Sequence, residues 1–239
     1  MTLKTYAATI VEEPKMSVKQ LCEYAEANAH GRLSILKACK VKNAAVIAIA
    51  RRYNDAEDFI ATFLEHSSGL YSILKDYAND LRRAGLKKTG KDKENLLACA
   101  EALDAFYKMK DQLPAKFEHI ALTNLTAKRS HKFKFKKVTV SIRPELMLNP
   151  EFEYSNCGFV KLYFGKTSPL TKTMAENMAL LGKYYFNEFH KMDFKRENCI
   201  VIDVFANKIY CAPKAEKRAL KMLEACCEEI SDRWEKISI

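Results

Sequence analysis

The fold class is decided by the stretch FKFKKVTVSI at residues 133–142. Across residues 138–142 the apolar side chains alternate with Thr139 and Ser141, which is the two-residue period of a half-buried β-strand. The two phenylalanines alternate with lysines just before it, so we predict one strand that begins early and bulges at Lys136-Lys137. The C-terminal half of the chain therefore contains β-structure.

Upstream of this stretch the apolar residues recur at helical spacing instead. Ser17-Val18-Lys19-Gln20 has the form of a capping box and predicts the start of a first helix. Further helical stripes end near residue 67, near Gly85 and before Pro114. The stretch 87–93 contains no apolar residue and is the best linker candidate. We therefore predict a helical domain over residues 1–90 and an α/β domain over residues 91–239.

Downstream, alternation at residues 159–164 predicts a second strand, and Thr171 can cap a long helix. An apolar strand over residues 199–205 is expected to return as a hairpin around Ala206-Asn207. A last helix carries an apolar stripe from Leu220 to Trp234. The predicted fold class is α+β, with an N-terminal helical region followed by a mixed α/β core.

Composition narrows the class of protein. The chain has 239 residues and is 48% apolar, which is ample for a core. No apolar run reaches the roughly 18 residues that a membrane span needs, and no apolar signal region follows Met1, so a cytoplasmic protein without a membrane partner is expected. The eight cysteines form no C-x-x-C pair, so we expect buried, reduced thiols.

The formal charge of +10 favours a polyanionic partner, which is DNA, RNA or an anionic membrane surface, and of these we expect DNA or RNA. Six lysines and arginines and no acid occupy residues 128–137, and they define the basic tract: Lys128, Arg129, Lys132, Lys134, Lys136 and Lys137. Two interpretations stay open. The phenylalanines between the lysines stack on bases while the lysines neutralise phosphates, or the phenylalanines face the core and the lysines protect an edge strand from aggregation.

Two short motifs carry a family resemblance. The strand at residues 138–142 leads to Pro144-Glu145, and the next strand leads to Lys166-Thr167. The sequence here resembles the PD-(D/E)XK nuclease superfamily, particularly its RecB-like branch, over residues 92–212. In that branch a strand ends in Pro-Asp, a hairpin follows, and the next strand ends in acid-x-Lys, often with Thr after it. The resemblance implies a restriction-endonuclease-like core.

The resemblance also implies a set of site residues. Glu145 would be a catalytic carboxylate and Mg²⁺ ligand, and Lys166 would help to activate water. Phe164 stands where the second acid belongs, so an altered or inactive site is expected, with Glu176 on the following helix as a substitute acid. Glu101 resembles the extra acid that some members carry on the preceding helix.

Two further residues are candidates on chemical grounds. Asp203 lies within an apolar strand, where a charge is costly unless it is paired or bound to a cation. It is therefore a candidate metal ligand, with a structural ion pair as the alternative. Lys161 alternates with apolar residues and either faces phosphates or extends its ammonium group to water.

These observations leave three hypotheses. The first is a nucleic-acid-binding protein with a nuclease-like core, whose active form would be a Mg²⁺-dependent nuclease. The second is a protein-interaction or scaffold module without catalysis, which binds a protein partner or forms a homo-oligomer. The third is a helix-turn-helix DNA reader within residues 17–53.

Overall fold

A computed structural model describes residues 9–42, 52–66, 70–113, 117, 121–127, 131–149 and 155–237. The described residues form a mixed α+β structure, which confirms the predicted fold class. None of their helices is long and apolar enough to cross a membrane. All eight cysteines lie within the described residues and are thiols outside any disulfide, and all but Cys211 are buried, as predicted.

The described residues form seven α-helices. These are α1 (Val18–Glu26), α2 (Ala29–Lys40), α3 (Asn54–His66), α4 (Ser72–Leu86), α5 (Gly90–Tyr107), α6 (Lys172–His190) and α7 (Glu216–Trp234).

Ten strands accompany them. These are β1 (Thr9–Ile10), β2 (Lys15–Ser17), β3 (Val41–Lys42), β4 (Ala121–Asn124), β5 (His131–Phe135), β6 (Val138–Ile142), β7 (Leu146–Asn149), β8 (Ser155–Tyr163), β9 (Asp193–Asp203) and β10 (Lys208–Cys211).

The chain divides into two compact units. The first comprises residues 1–51, 130–142 and 215–239, and the second comprises residues 52–129 and 143–214. Both units are thus assembled from separate stretches of the chain, whereas the sequence suggested one boundary between residues 90 and 91. The stretch that looked like a linker contains the start of α5, at Gly90.

The first unit is built on a three-stranded sheet in the order β2-β6-β5, with β2 parallel and β5 antiparallel to β6. The predicted single strand with a bulge is wrong. Phe135 pairs with Val138, so the chain reverses in a two-residue turn at Lys136-Lys137. Lys136 takes a left-handed conformation there, with φ of 53°. The phenylalanines and the following valines therefore share one face.

Helix α1 of the first unit begins at the predicted capping box. The Ser17 hydroxyl accepts a hydrogen bond from the Gln20 backbone N–H at 3.2 Å, and the Gln20 side chain accepts one from the Ser17 N–H at 2.9 Å. These bonds satisfy two backbone donors that a helix start otherwise leaves unpaired. The capping-box prediction is confirmed.

The second unit is built on a five-stranded sheet in the order β10-β9-β8-β7-β4. Strands β8 and β9 are parallel and are connected through α6, while the other neighbours pair antiparallel. Val160 and Ile200 belong to the core shared with α3, α4 and α5. Phe159 contacts Phe186 of α6 on the opposite face, with ring centroids 6.0 Å apart. Helices thus cover both faces of this sheet.

The start of α6 and the last strand pair follow the sequence prediction. The Thr171 hydroxyl accepts a hydrogen bond from the Met174 N–H at 3.1 Å. Strands β9 and β10 form the predicted hairpin, in which Asn207 adopts φ of 56°. A left-handed residue is common in such tight turns, and asparagine tolerates it better than most residues.

Candidate functional site

Glu145 lies immediately before β7, the strand between β8 and β4 in the sheet of the second unit. Its backbone carbonyl accepts from the Leu125 N–H at 2.8 Å, and its N–H donates to the Val160 carbonyl at 2.9 Å. The side chain is completely buried. One carboxylate oxygen accepts from the Lys161 ammonium and the other from the Leu162 N–H. Both oxygens of Glu145 are therefore engaged.

The surroundings of Glu145 favour its neutral form. Burial raises the pKa of the Glu145 carboxyl to about 7, against the opposing effect of the Lys161 ammonium. The nearby Glu57 carboxylate adds to the increase. Glu145 is thus a carboxyl group that titrates near neutrality and accepts a hydrogen bond from a half-buried lysine.

The Lys161 side chain is only 18% exposed. Besides Glu145, its ammonium donates to the Leu162 carbonyl at 2.8 Å. The Lys161 ammonium is therefore directed at Glu145 and the Leu162 carbonyl within the unit. A second ion pair joins Arg143 to Glu57, 3.0 Å apart, so Arg143, two residues before Glu145, binds a different acid.

Lys166 lies in the loop after β8, three residues beyond the end of the strand. It is exposed, and its ammonium donates to Glu101 at 2.7 Å. That hydrogen bond raises the pKa of Lys166. The resemblance assigned Lys166 as the motif lysine at the end of a strand. In the structure, the lysine that bonds Glu145 is Lys161.

The carboxylate of Asp203 is buried at the end of β9. It accepts from the backbone N–H groups of Leu170 at 2.8 Å and Ala206 at 3.2 Å. Burial raises the pKa of Asp203, and these hydrogen bonds oppose the increase. Backbone donors, rather than the expected ion pair, thus satisfy this carboxylate. Glu176 lies on α6, with the Lys172 ammonium 3.8 Å from its carboxylate.

The predicted metal ligands do not form a donor set for Mg²⁺. Within the described ranges, no three His, Cys, Asp or Glu side chains come close enough to share an ion. Mg²⁺ requires oxygen ligands in near-octahedral geometry, yet the oxygens of Glu145 and Asp203 already accept protein hydrogen bonds. These residues do not fit the metal that the resemblance implied.

The described part of the basic tract forms β5 and the turn of the β5–β6 hairpin of the first unit, and Lys128 and Arg129 lie outside the described residues. Phe133 and Phe135 are only 4% and 1% exposed. Lys132, Lys134, Lys136 and Lys137 are all exposed. Of the two interpretations of the phenylalanines, the core position is confirmed and base stacking by these rings is wrong.

Lys132 pairs across the hairpin with Ser141, and Lys134 with Thr139. Because alternate residues of a strand share a face, the two lysines and the two hydroxyl residues lie on the face opposite the phenylalanines. Lys136, in the turn, lies 3.4 Å from Glu224 of α7. We call Lys132, Lys134, Thr139 and Ser141 the basic face.

No protein-family model matches the chain, and a search of curated proteins finds no significant match.

Sequence reasoning missed the group formed by Glu57, Arg143, Glu145 and Lys161. Their contacts join α3 to the two strands around Glu145. One feature of the local sequence pointed to this group, namely the charged Lys161 within an alternating apolar strand. Nothing local connects it to Glu57, since that proximity arises only when α3 packs on the sheet.

Proposed function

We propose that this chain is a nucleic-acid-binding protein that contacts phosphates through the basic face, and that its second unit is a nuclease-like core with an altered, inactive site. The alternation of the β5–β6 hairpin carries the proposal, since it buries the phenylalanines and turns Lys132 and Lys134 outward beside two hydroxyl residues. Lysine and hydroxyl side chains are the usual donors to phosphate oxygens.

The charge of the hairpin supports a polyanionic partner. Residues 131–142 contain no acid. Lys132 and Lys134 are two residues apart on one strand, so their Cα atoms are separated by about 7 Å and both ammonium groups can reach one stretch of backbone. Binding of this kind neutralises phosphates, releases counterions and falls steeply with salt. The buried phenylalanines contribute stability instead.

The order of elements in the second unit supports the nuclease-like part of the proposal. In chain order this unit contains helices, the antiparallel strands β4, β7 and β8, a helix and a strand hairpin, with the β5–β6 hairpin of the first unit inserted between β4 and β7. Pro144-Glu145 stands immediately before β7, whereas the family's Pro-Asp ends a strand of the core sheet, so the position of this motif is altered. Lys161 on the next strand bonds Glu145. The residue two positions before Lys161 is Phe159, and the one two positions before Lys166 is Phe164. Whichever lysine is compared with acid-x-Lys, the acid is replaced by a side chain that cannot bind a metal.

Fluorescence anisotropy with labelled single-stranded and double-stranded DNA and RNA tests the binding. We expect complexes at low salt, with log K falling linearly with log salt. The variant Lys132→Gln/Lys134→Gln removes two phosphate contacts and should make that slope shallower by about 1.5 to 2. The matched control Lys87→Gln/Lys88→Gln removes two exposed lysines of the second unit and should leave the slope unchanged.

Absence of a complex at low salt would overturn the nucleic-acid proposal, as would equal slopes for both double variants. If light scattering then showed a homo-oligomer, or a pull-down showed a stable protein partner, the scaffold hypothesis would replace it.

The inactive site has its own test. Incubation with the same substrates and Mg²⁺ or Mn²⁺ should yield no cleavage products, and chelation of divalent ions should not change binding. Metal-dependent cleavage that disappears in Glu145→Ala would overturn the inactive assignment while leaving the binding proposal intact.

A further inference from the structure

A cleft of about 360 Å³ opens in the second unit, beside the ends of the parallel strands β8 and β9. Its lining includes Lys166, from the loop after β8, and Phe205 and Asn207, from the turn after β9. Asp104, in the last turn of α5, and Lys108, just after its end, also line it. In α/β sheets, ligands commonly bind in the crevice outside the carboxyl ends of parallel strands.

The acids in this cleft are already neutralised. Glu101 accepts from Lys166 at 2.7 Å, and Asp104 accepts from Arg82. Each carboxylate therefore has a cationic partner inside the same unit. A cationic ligand would have to compete with these ion pairs, so the cleft is poorly suited to one.

Two polar side chains in the cleft remain unengaged. Within the described residues, the Lys108 ammonium and the Asn207 carboxamide have no hydrogen bond or ion pair, and Lys108 is exposed. Lys166 donates one hydrogen bond to Glu101, whereas an ammonium has three N–H donors. The cleft thus offers cationic donors together with an amide that both donates and accepts.

An aromatic wall adjoins these donors. Phe205 is partly buried, and its ring lies edge-on to Tyr53, with centroids 5.6 Å apart. Tyr53 in turn stacks on Phe164 at 5.4 Å. The supported ring of Phe205 provides a flat apolar surface against which a planar ligand group can stack.

We propose that this cleft binds a mononucleotide. Lys108 and Lys166 bind its phosphate, the base stacks on Phe205, and Asn207 pairs with polar atoms of the base edge. The volume lies at the lower end of the range for small-molecule sites, which suits a ligand of this size. The inference adds a second site to the proposed function and does not rest on it, because no residue of the basic face lines the cleft.

Titration of the full chain with AMP, GMP, CMP and UMP, followed by the backbone amide NMR signals of Lys108 and Asn207, tests the site. Inorganic phosphate and the four nucleosides are the comparison ligands. We expect saturable shifts with at least one mononucleotide, and weaker binding of phosphate and nucleosides.

Three variants locate the ligand. Lys108→Gln should weaken mononucleotide binding about tenfold, as for the loss of a charged hydrogen bond. Glycine tolerates the left-handed backbone at position 207. Asn207→Gly should therefore change the relative affinities for the four mononucleotides. Lys172→Gln removes an exposed lysine on α6 that does not line the cleft, and it should leave affinity unchanged.

The inference is overturned if no mononucleotide produces saturable shifts at millimolar concentration, if phosphate alone binds equally well, or if Lys172→Gln weakens binding as much as Lys108→Gln. Salt-dependent binding of DNA or RNA with no response in the cleft would reject the cleft alone. A response to mononucleotides without binding of DNA or RNA would reject only the basic face.

Discussion

The Lys161 ammonium donates to a Glu145 carboxylate that is completely buried. Removing two charges from water costs several kcal/mol per ion, so such a pair holds only when additional hydrogen bonds satisfy it. The Leu162 N–H and the Leu162 carbonyl provide them, one to each partner. The pair fixes the start of β7 against β8, and its energetics are measurable.

Glu145 should make the second unit less stable as the pH rises towards neutrality. Its folded-state pKa is raised from 4.5 to about 7, so its contribution to stability is fully present below about pH 4.5 and is lost as the pH rises through about 7. Urea unfolding at a series of pH values should show this loss in the wild type. Glu145→Gln, which cannot titrate, should lack this component, and an identical slope in both proteins would contradict the assignment.

The two partners should also be energetically coupled. At a pH above about 7, where Glu145 is ionised, Glu145→Gln leaves the Lys161 ammonium without its anion and should cost about 3 kcal/mol of unfolding free energy. Adding Lys161→Met removes the isolated charge, so the double variant should cost less than the sum of the single variants by about 1–3 kcal/mol. Simple additivity would show that the pair contributes nothing specific.

Local patterns of the sequence were sufficient for the fold class but not for the site. The capping box at Ser17 and the cap at Thr171 depend on neighbouring residues, and both appear in the structure. The turn at Lys136-Lys137 was mistaken for a bulge, because two strands of a tight hairpin and one bulged strand share the same alternation. The three-residue step from Phe135 to Val138 fits both arrangements, and only the pairing of Phe135 with Val138 in the structure distinguishes them.

The partners of the carboxylates could not be predicted, since they depend on tertiary packing. Glu145 stands two residues after Arg143 in the chain, so local sequence alone favours an ion pair between them. Strand pairing instead brings Lys161 to Glu145, while α3 brings Glu57 to Arg143. Asp203 is similar: its donors are backbone groups of a loop and a turn, which carry no side-chain signature in the sequence.

Asp203 should act in stability and not in metal binding. Asp203→Ala leaves the Leu170 and Ala206 N–H groups without their acceptor, and it should cost about 2–4 kcal/mol of unfolding free energy. Addition of Mg²⁺ or of a chelator should leave wild-type thermal unfolding unchanged. A midpoint that rises with Mg²⁺ in the wild type but not in Asp203→Ala would instead show that this carboxylate binds the ion.

Arg32 should stabilise the end of α1 in a way that lysine cannot reproduce. Its guanidinium donates to the carbonyls of Tyr24 at 3.2 Å and Ala27 at 3.1 Å, and to Glu229 at 2.7 Å. A lysine lacks this planar array of donors. Arg32→Lys should therefore lower the unfolding free energy by about 1–2 kcal/mol.

The exposed Arg83 offers a matched control for that substitution. Arg83→Lys alters only a surface ion pair, 3.4 Å long, with Asp80, so urea unfolding should show a change within about 0.5 kcal/mol. Equal losses in the two variants would mean that the contacts at the end of α1 add nothing beyond charge.

Phe133 separates the two roles of the basic tract. Its ring is buried against the first unit's core, so Phe133→Leu should lower the unfolding free energy by about 1–2 kcal/mol, through lost packing. The salt slope of nucleic-acid binding should stay unchanged, because the lysines on the opposite face are untouched. Urea unfolding checks the loss of stability. Anisotropy, measured in parallel with Lys132→Gln/Lys134→Gln under conditions in which each variant is folded, checks the salt slope. If Phe133→Leu weakened binding equally at all salt concentrations while remaining folded, the ring would be contacting bases, and phosphate contact alone would no longer account for the interaction.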